Sequence, residues 1–163
     1  MRLNELFNTT YKLVPVEGLL KKTIERQLRA GGLDNITVTQ AQEDPRQVFM
    51  LGKNNGAWEV HHVLIANQQF VSGRILNTAG HANPKFISTA IELYNSKLDS
   101  GDNIRIIGTK TMWPTYQKVI ARMLKKHPDF IADSPHEYDT YGIPTVSQLL
   151  RRQGEKDVDN TAL

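Results

Sequence analysis

Leu20, Ile24 and Leu28 recur at four-residue spacing, which places them in one stripe along a helix. Pro15 stands where a first helical turn tolerates a missing N–H, and Gly31-Gly32 stops the pattern. An amphipathic helix is predicted between them, with Lys21, Lys22, Arg26 and Arg29 on its solvated face. Extended segments follow. Asn35 to Gln40 holds the β-branched run Ile36, Thr37, Val38 and Thr39, and Gln47 to Leu51 adds Val48, Phe49, Met50 and Leu51. Lys53-Asn54-Asn55-Gly56 is turn chemistry, because Asn and Gly accept positive φ, so Ala57 to Ala66 is read as the returning strand of an antiparallel hairpin. Phe70 to Thr78 is predicted to be a further strand, with Gly73 marking a bulge or a close backbone approach.

Beyond Gly80 the period changes from two to 3.6. Ile87, Ala90, Ile91, Tyr94 and Leu98 form a stripe behind Pro84 that ends at Asp99-Ser100-Gly101-Asp102. Ile104 to Gly108 is a short apolar strand, and Tyr116, Val119, Ile120, Met123 and Leu124 mark a third helix, entered near Met112 and closed before Pro128. Lys118, Arg122, Lys125 and Lys126 lie off its stripe. The end that contains Tyr138, Tyr141 and Pro144 has no readable period. Helices packed on the faces of a mixed, mostly antiparallel central sheet make an α/β fold, with a single domain expected over residues 1–150 and a polar, mobile tail over residues 151–163.

Composition narrows the setting. A chain of 163 residues suits one compact domain, and without cysteine it has no disulfide framework, thiolate metal site or cysteine nucleophile. Met1 to Asn8 lacks the apolar core of a signal peptide, and no apolar run approaches the ~20 residues of a membrane helix, so a cytoplasmic protein with no membrane partner is expected. The net charge of +3 leaves room for an anionic partner but is not the dense basic stripe of a typical nucleic-acid binder.

Candidate chemistry concentrates where the predicted strand runs through Leu76, Asn77, Thr78, Ala79, Gly80, His81, Ala82 and Asn83 into the helix at Pro84. Backbone N–H groups at such a junction are free, and with the helix dipole they favour a phosphate. The order of elements and this motif together resemble the GNAT superfamily of N-acyltransferases. The family's pyrophosphate loop reads Gln or Arg, two residues, Gly, one residue, then Gly or Ala, and Asn77, Gly80 and Ala82 occupy those positions, with Asn77 as the departure. Downstream the family has Asn after the next strand, a small residue three on and a Tyr seven on. Thr109 and Met112 replace the first two here, and Tyr116 stands at the third.

The resemblance implies acetyl-CoA as cosubstrate, bound by residues 76 to 78 and 80 to 83, an amine acceptor that attacks the thioester directly, and Tyr116 as the acid that serves the departing thiolate. Tyr116 also begins the apolar stripe of its helix and suits a core position equally. For the base that such a mechanism needs, Glu59 and His61 lie two apart on a strand and share one face, while His62 points to the other.

Other chemistries fit less well. Trp58 to Val63 is similar to the opening of an HNH nuclease motif, but no suitably placed Asn and metal-binding His follow. The five histidines show no His-Glu-x-x-His spacing, so no metal site is expected, and neither a nucleophile elbow nor a P-loop occurs. The alternative from a different class is a non-enzymatic nucleic-acid-binding protein, in which the basic third helix meets phosphates while Trp113 and Tyr116 stack on bases.

Overall fold

The computed structural model describes residues 10–65, 84–140 and 142–154. In chain order these form β1 (Leu13–Pro15), α1 (Gly18–Ala30), β2 (Asp34–Ala41), β3 (Gln47–Asn54), β4 (Ala57–Leu64), α2 (Pro84–Asp99), β5 (Asn103–Thr109), α3 (Trp113–Lys126), β6 (Phe130–Ala132), β7 (His136–Thr140) and β8 (Ile143–Arg152). The strands make one open, mixed sheet in the order β1-β2-β3-β4-β5-β8-β6, with β7 also paired to β8. Among the described residues β4 and β5 alone pair in parallel; the other pairings are antiparallel.

Strand alternation sorts the core onto two faces. Val48 and Met50 of β3 and Val63 of β4 meet Ile24 and Leu28 of α1. Phe49, one position out of phase, joins the opposite cluster, built from Ile87, Ile91, Tyr94 and Leu98 of α2, Tyr116, Val119, Ile120 and Met123 of α3, and Ile104 and Ile106 of β5. The predicted stripes of these helices are therefore the buried ones. The β3–β4 hairpin closes through Asn55 and Gly56 at φ 49° and 81°, the two left-handed residues that a type I′ turn requires, and sets the register Asn54↔Ala57.

The structure changes the two ends of the expected pattern. Pro15 does not open the first helix: it closes β1, opposite Thr39, and the helix begins at Gly18. An edge strand tolerates the missing N–H as well as a first helical turn does, so proline alone does not choose between them. The unreadable end is a set of three strands. β8 pairs with β5 along one edge and carries β6 and β7 in tandem on the other. It runs through Arg152, with Arg151 opposite Ile131 and its Nε 2.8 Å from Asp133, so the first residues expected in the tail belong to the sheet. The expected strand Phe70 to Thr78 and the loop residues Leu76, Asn77, Thr78, Gly80, His81, Ala82 and Asn83 lie outside the described residues.

Candidate active site at the parting of two strands

The parallel pair is also a short one. β4 and β5 match at Ala57↔Asn103 and Trp58↔Ile104 and then stop pairing, although β4 continues to Leu64 and β5 to Thr109. The closed end is pinned by Trp58, whose Nε1 donates to Asp102 at 3.2 Å while Lys97 lies 3.9 Å from the centre of its ring. Where the strands part, a side chain replaces the ladder: the Tyr94 hydroxyl accepts from Val60 N–H at 3.0 Å and donates to the Arg105 carbonyl at 2.9 Å. Tyr94 is 2 % exposed, and burial pushes its hydroxyl far above the usual phenol range, so it stays a donor. Tyr94→Phe takes this partner from a buried N–H and a buried carbonyl and is expected to cost about 2–4 kcal/mol, read as a lowered urea midpoint at unchanged m value.

The gap beyond Tyr94 is lined by Val60, His61, His62, Phe86, Ala90, Ile107 and Tyr116 as well. Its free space is about 10 Å³, roughly that of one water. Phe86, in the first turn of α2, stacks on His62 at 4.1 Å, which brings that helix N-terminus to the open end of the gap. Tyr116, 4 % exposed, reaches it from α3 by lying on bare backbone: a Cβ at Gly108 would stand 2.6 Å from its ring. Tyr116 is thus a core residue and a gap-lining residue at once. Burial raises its hydroxyl well above the usual range, so it keeps its proton at neutral pH.

The opposite face of the sheet holds an ionic cluster. Glu59, 3 % exposed, takes Arg105 Nη1 on Oε2 at 2.9 Å and His61 Nε2 on Oε1 at 3.0 Å. Burial alone would raise the Glu59 carboxyl, but the hydrogen bonds and charges of His61 and Arg105 outweigh it and hold the group below the usual range. Both oxygens of this carboxylate are occupied. An ionised carboxylate only accepts, so the ring nitrogen that faces it, His61 Nε2, carries a proton. The His61 side chain is 27 % exposed.

On the helix face His62 is 8 % exposed, and burial lowers its imidazole to about 4. Because the unfolded chain would take up a proton near pH 6.5 and the folded chain only near 4, this histidine contributes stability above about pH 6.5 that is lost as the pH falls through 4. The depressed Glu59 adds a loss on the same acidic side. Unfolding free energies from urea titrations are expected to decline over this interval by roughly 3 kcal/mol for His62, and His62→Phe should flatten that part of the curve.

The cations of α3, Lys118, Arg122, Lys125 and Lys126, lie outside the core, but Trp113 and Tyr116 are buried in it and present no ring for base stacking. No described group of three His, Asp or Glu side chains is arranged to hold a metal ion, and no described helix is long and apolar enough to cross a membrane. Comparison of the chain with family models, with curated proteins and with solved structures finds no match in any of the three.

Proposed function

We propose that the protein is an acyl-CoA-dependent N-acyltransferase of the GNAT type, acting on an amine with acetyl-CoA as donor. The observation that carries the reading is the parting of β4 from β5, with a helix N-terminus and Tyr116 on one side and the Glu59-positioned His61 on the other. Acetyl-CoA, when bound, supplies the thioester. Residues 76 to 83, with Asn77, Gly80 and Ala82 in the family's positions, are where its pyrophosphate is proposed to bind. As the C–N bond forms and the C–S bond breaks, His61 Nδ1 accepts the amine proton and N–H groups of the parted strands polarise the carbonyl. Tyr116, held protonated by burial, serves the departing sulfur as a hydrogen-bond donor. Because the free space is about 10 Å³, occupancy requires the side chains around Phe86 and Tyr116 to move apart.

Acetyl-CoA at a hundredfold excess over its dissociation constant is expected to stabilise the fold by about 2.7 kcal/mol in thermal unfolding. Tyr116→Phe keeps the ring on Gly108 and removes the hydroxyl, so turnover should fall while CoA affinity stays near that of the parent. No stabilisation by CoA, together with oligonucleotide binding that weakens steeply with salt, would decide for the nucleic-acid-binding alternative on α3.

A further inference from the structure

We propose that the acidic segment that follows β8, residues 155 to 163, docks along the outer face of α3 and covers its cations against other polyanions. This contact is independent of the acyltransferase reading. α3 contains neither Asp nor Glu, and Lys118, Arg122 and Lys125 stand on its exposed side at positions i, i+4 and i+7. That spacing gathers three positive charges into one stripe about 10 Å long, where they repel one another. Lys118 and Lys125 meet no carboxylate among the described residues. Lys126 shares a groove with Glu92 and Asp99 of α2 and stands apart from the stripe. The cations of α1 are placed differently: Glu25 pairs with Lys21 at 3.8 Å and with Arg29 at 3.2 Å, and that helix packs on the other face of the sheet.

The chain carries a matching anion. Gln153 N–H donates to the Asp129 carbonyl at 2.7 Å, and Asp129 follows closely on the end of α3 at Lys126, so residue 155 begins beside the C-terminal end of that helix. Glu155, Asp157 and Asp159 occupy alternate positions. In an extended chain they point the same way about 6.6 Å apart, with Lys156 and Val158 on the other side. The step from Lys118 to Arg122 is about 6 Å along the helix, so an extended segment running back over α3 sets one acid near each cation. Residues 155 to 163 reach at most about 30 Å, more than the roughly 21 Å length of α3. Single exposed ion pairs are weak, but a short tether holds these acids at about millimolar effective concentration and lets the three act together.

The chain has no cysteine, so Thr161→Cys takes a single nitroxide label in the ¹⁵N-labelled whole chain. Broadening of the Lys118 and Arg122 amides is expected to be at least about twofold stronger than in the same chain with Glu155→Gln, Asp157→Asn and Asp159→Asn, where the tether alone remains. None of these three lies in a described element of the fold. The excess should vanish at 1 M salt, where the screening length is about 3 Å, and the α1 amides of Lys21 and Lys22 should show none. An oligothymidylate should bind the neutralised chain at least about fivefold more tightly than the parent, and this gain should be lost when Lys118→Gln and Lys125→Gln are added. Equal broadening in parent and neutralised chains overturns the contact and leaves the stripe to a separate polyanion. Equal oligonucleotide binding, or a gain that survives the lysine changes, overturns the covering role. An excess seen when labelled chains are mixed with unlabelled ¹⁵N chains assigns the segment to a second copy and overturns the intramolecular contact.

Discussion

Glu59→Ala is expected to destabilise the protein by about 3–5 kcal/mol, the usual consequence of stripping one partner from a buried ion pair. The magnitude comes from what remains. The Arg105 side chain is 1 % exposed, so the substitution takes the carboxylate from a guanidinium held away from water. The attraction between the two charges is not itself the stabilising term, because desolvating both cancels much of it. The double variant Glu59→Leu with Arg105→Leu should therefore be closer to the parent than either single change. Equilibrium urea unfolding of these variants reads this directly. A single Glu59→Ala within about 1 kcal/mol of the parent would show that Arg105 is solvated or re-paired.

Under the proposed acyltransferase mechanism, His61→Ala is expected to lower turnover by about 10²–10⁴-fold, the range for loss of a positioned general base. Its effect on stability should be small by contrast. The side chain is partly exposed, and Glu59 keeps Arg105 when His61 is gone. The two variants thus separate positioning from chemistry: Glu59→Ala acts on stability and turnover together, His61→Ala mainly on turnover. A pH–rate profile sharpens the distinction, because the limb that reports the base should disappear in His61→Ala. An unchanged profile in His61→Ala would assign the proton to another group.

The elements that can be read from the residues are those whose pattern is local. The stripes Leu20-Ile24-Leu28 and Ile87-Ala90-Ile91-Tyr94-Leu98, the Asn55-Gly56 turn and the run Ile104 to Gly108 each carry their own periodicity or turn chemistry, and each stands where expected. The C-terminal strands do not. β7 is mostly exposed and polar, and β8 includes Pro144, so neither shows the alternation of a half-buried strand; they are ordered by pairing with each other and, for β8, with β5.

The site divides in the same way. Glu59 and His61 share a face by strand alternation, which their spacing already shows. Arg105, the group that commits Glu59, lies 46 residues away and has no local signal. Tyr94 reads from its spacing only as a member of an apolar stripe, although a tyrosine in such a stripe needs a partner for its hydroxyl, and here that partner is the gap between two strands. Gly108 reads as the end of a strand, whereas its role in the fold is the close approach of Tyr116. Alternation puts His62 on the opposite face, as found, but its partner Gln47, 2.6 Å away, comes from the neighbouring strand and has no local signal.

The most direct test of the acyltransferase proposal is the backbone amide spectrum of the whole chain during titration with acetyl-CoA. Saturable changes are expected at Val60, His61 and His62 on β4 and at Ile107, Gly108 and Tyr116 across the gap, because a ligand that widens a space of about 10 Å³ must displace both walls. The outer cations of α3, Lys118, Lys125 and Lys126, should move little. Acetyl-CoA that leaves both strands unchanged, while an oligonucleotide perturbs those α3 residues, would contradict it.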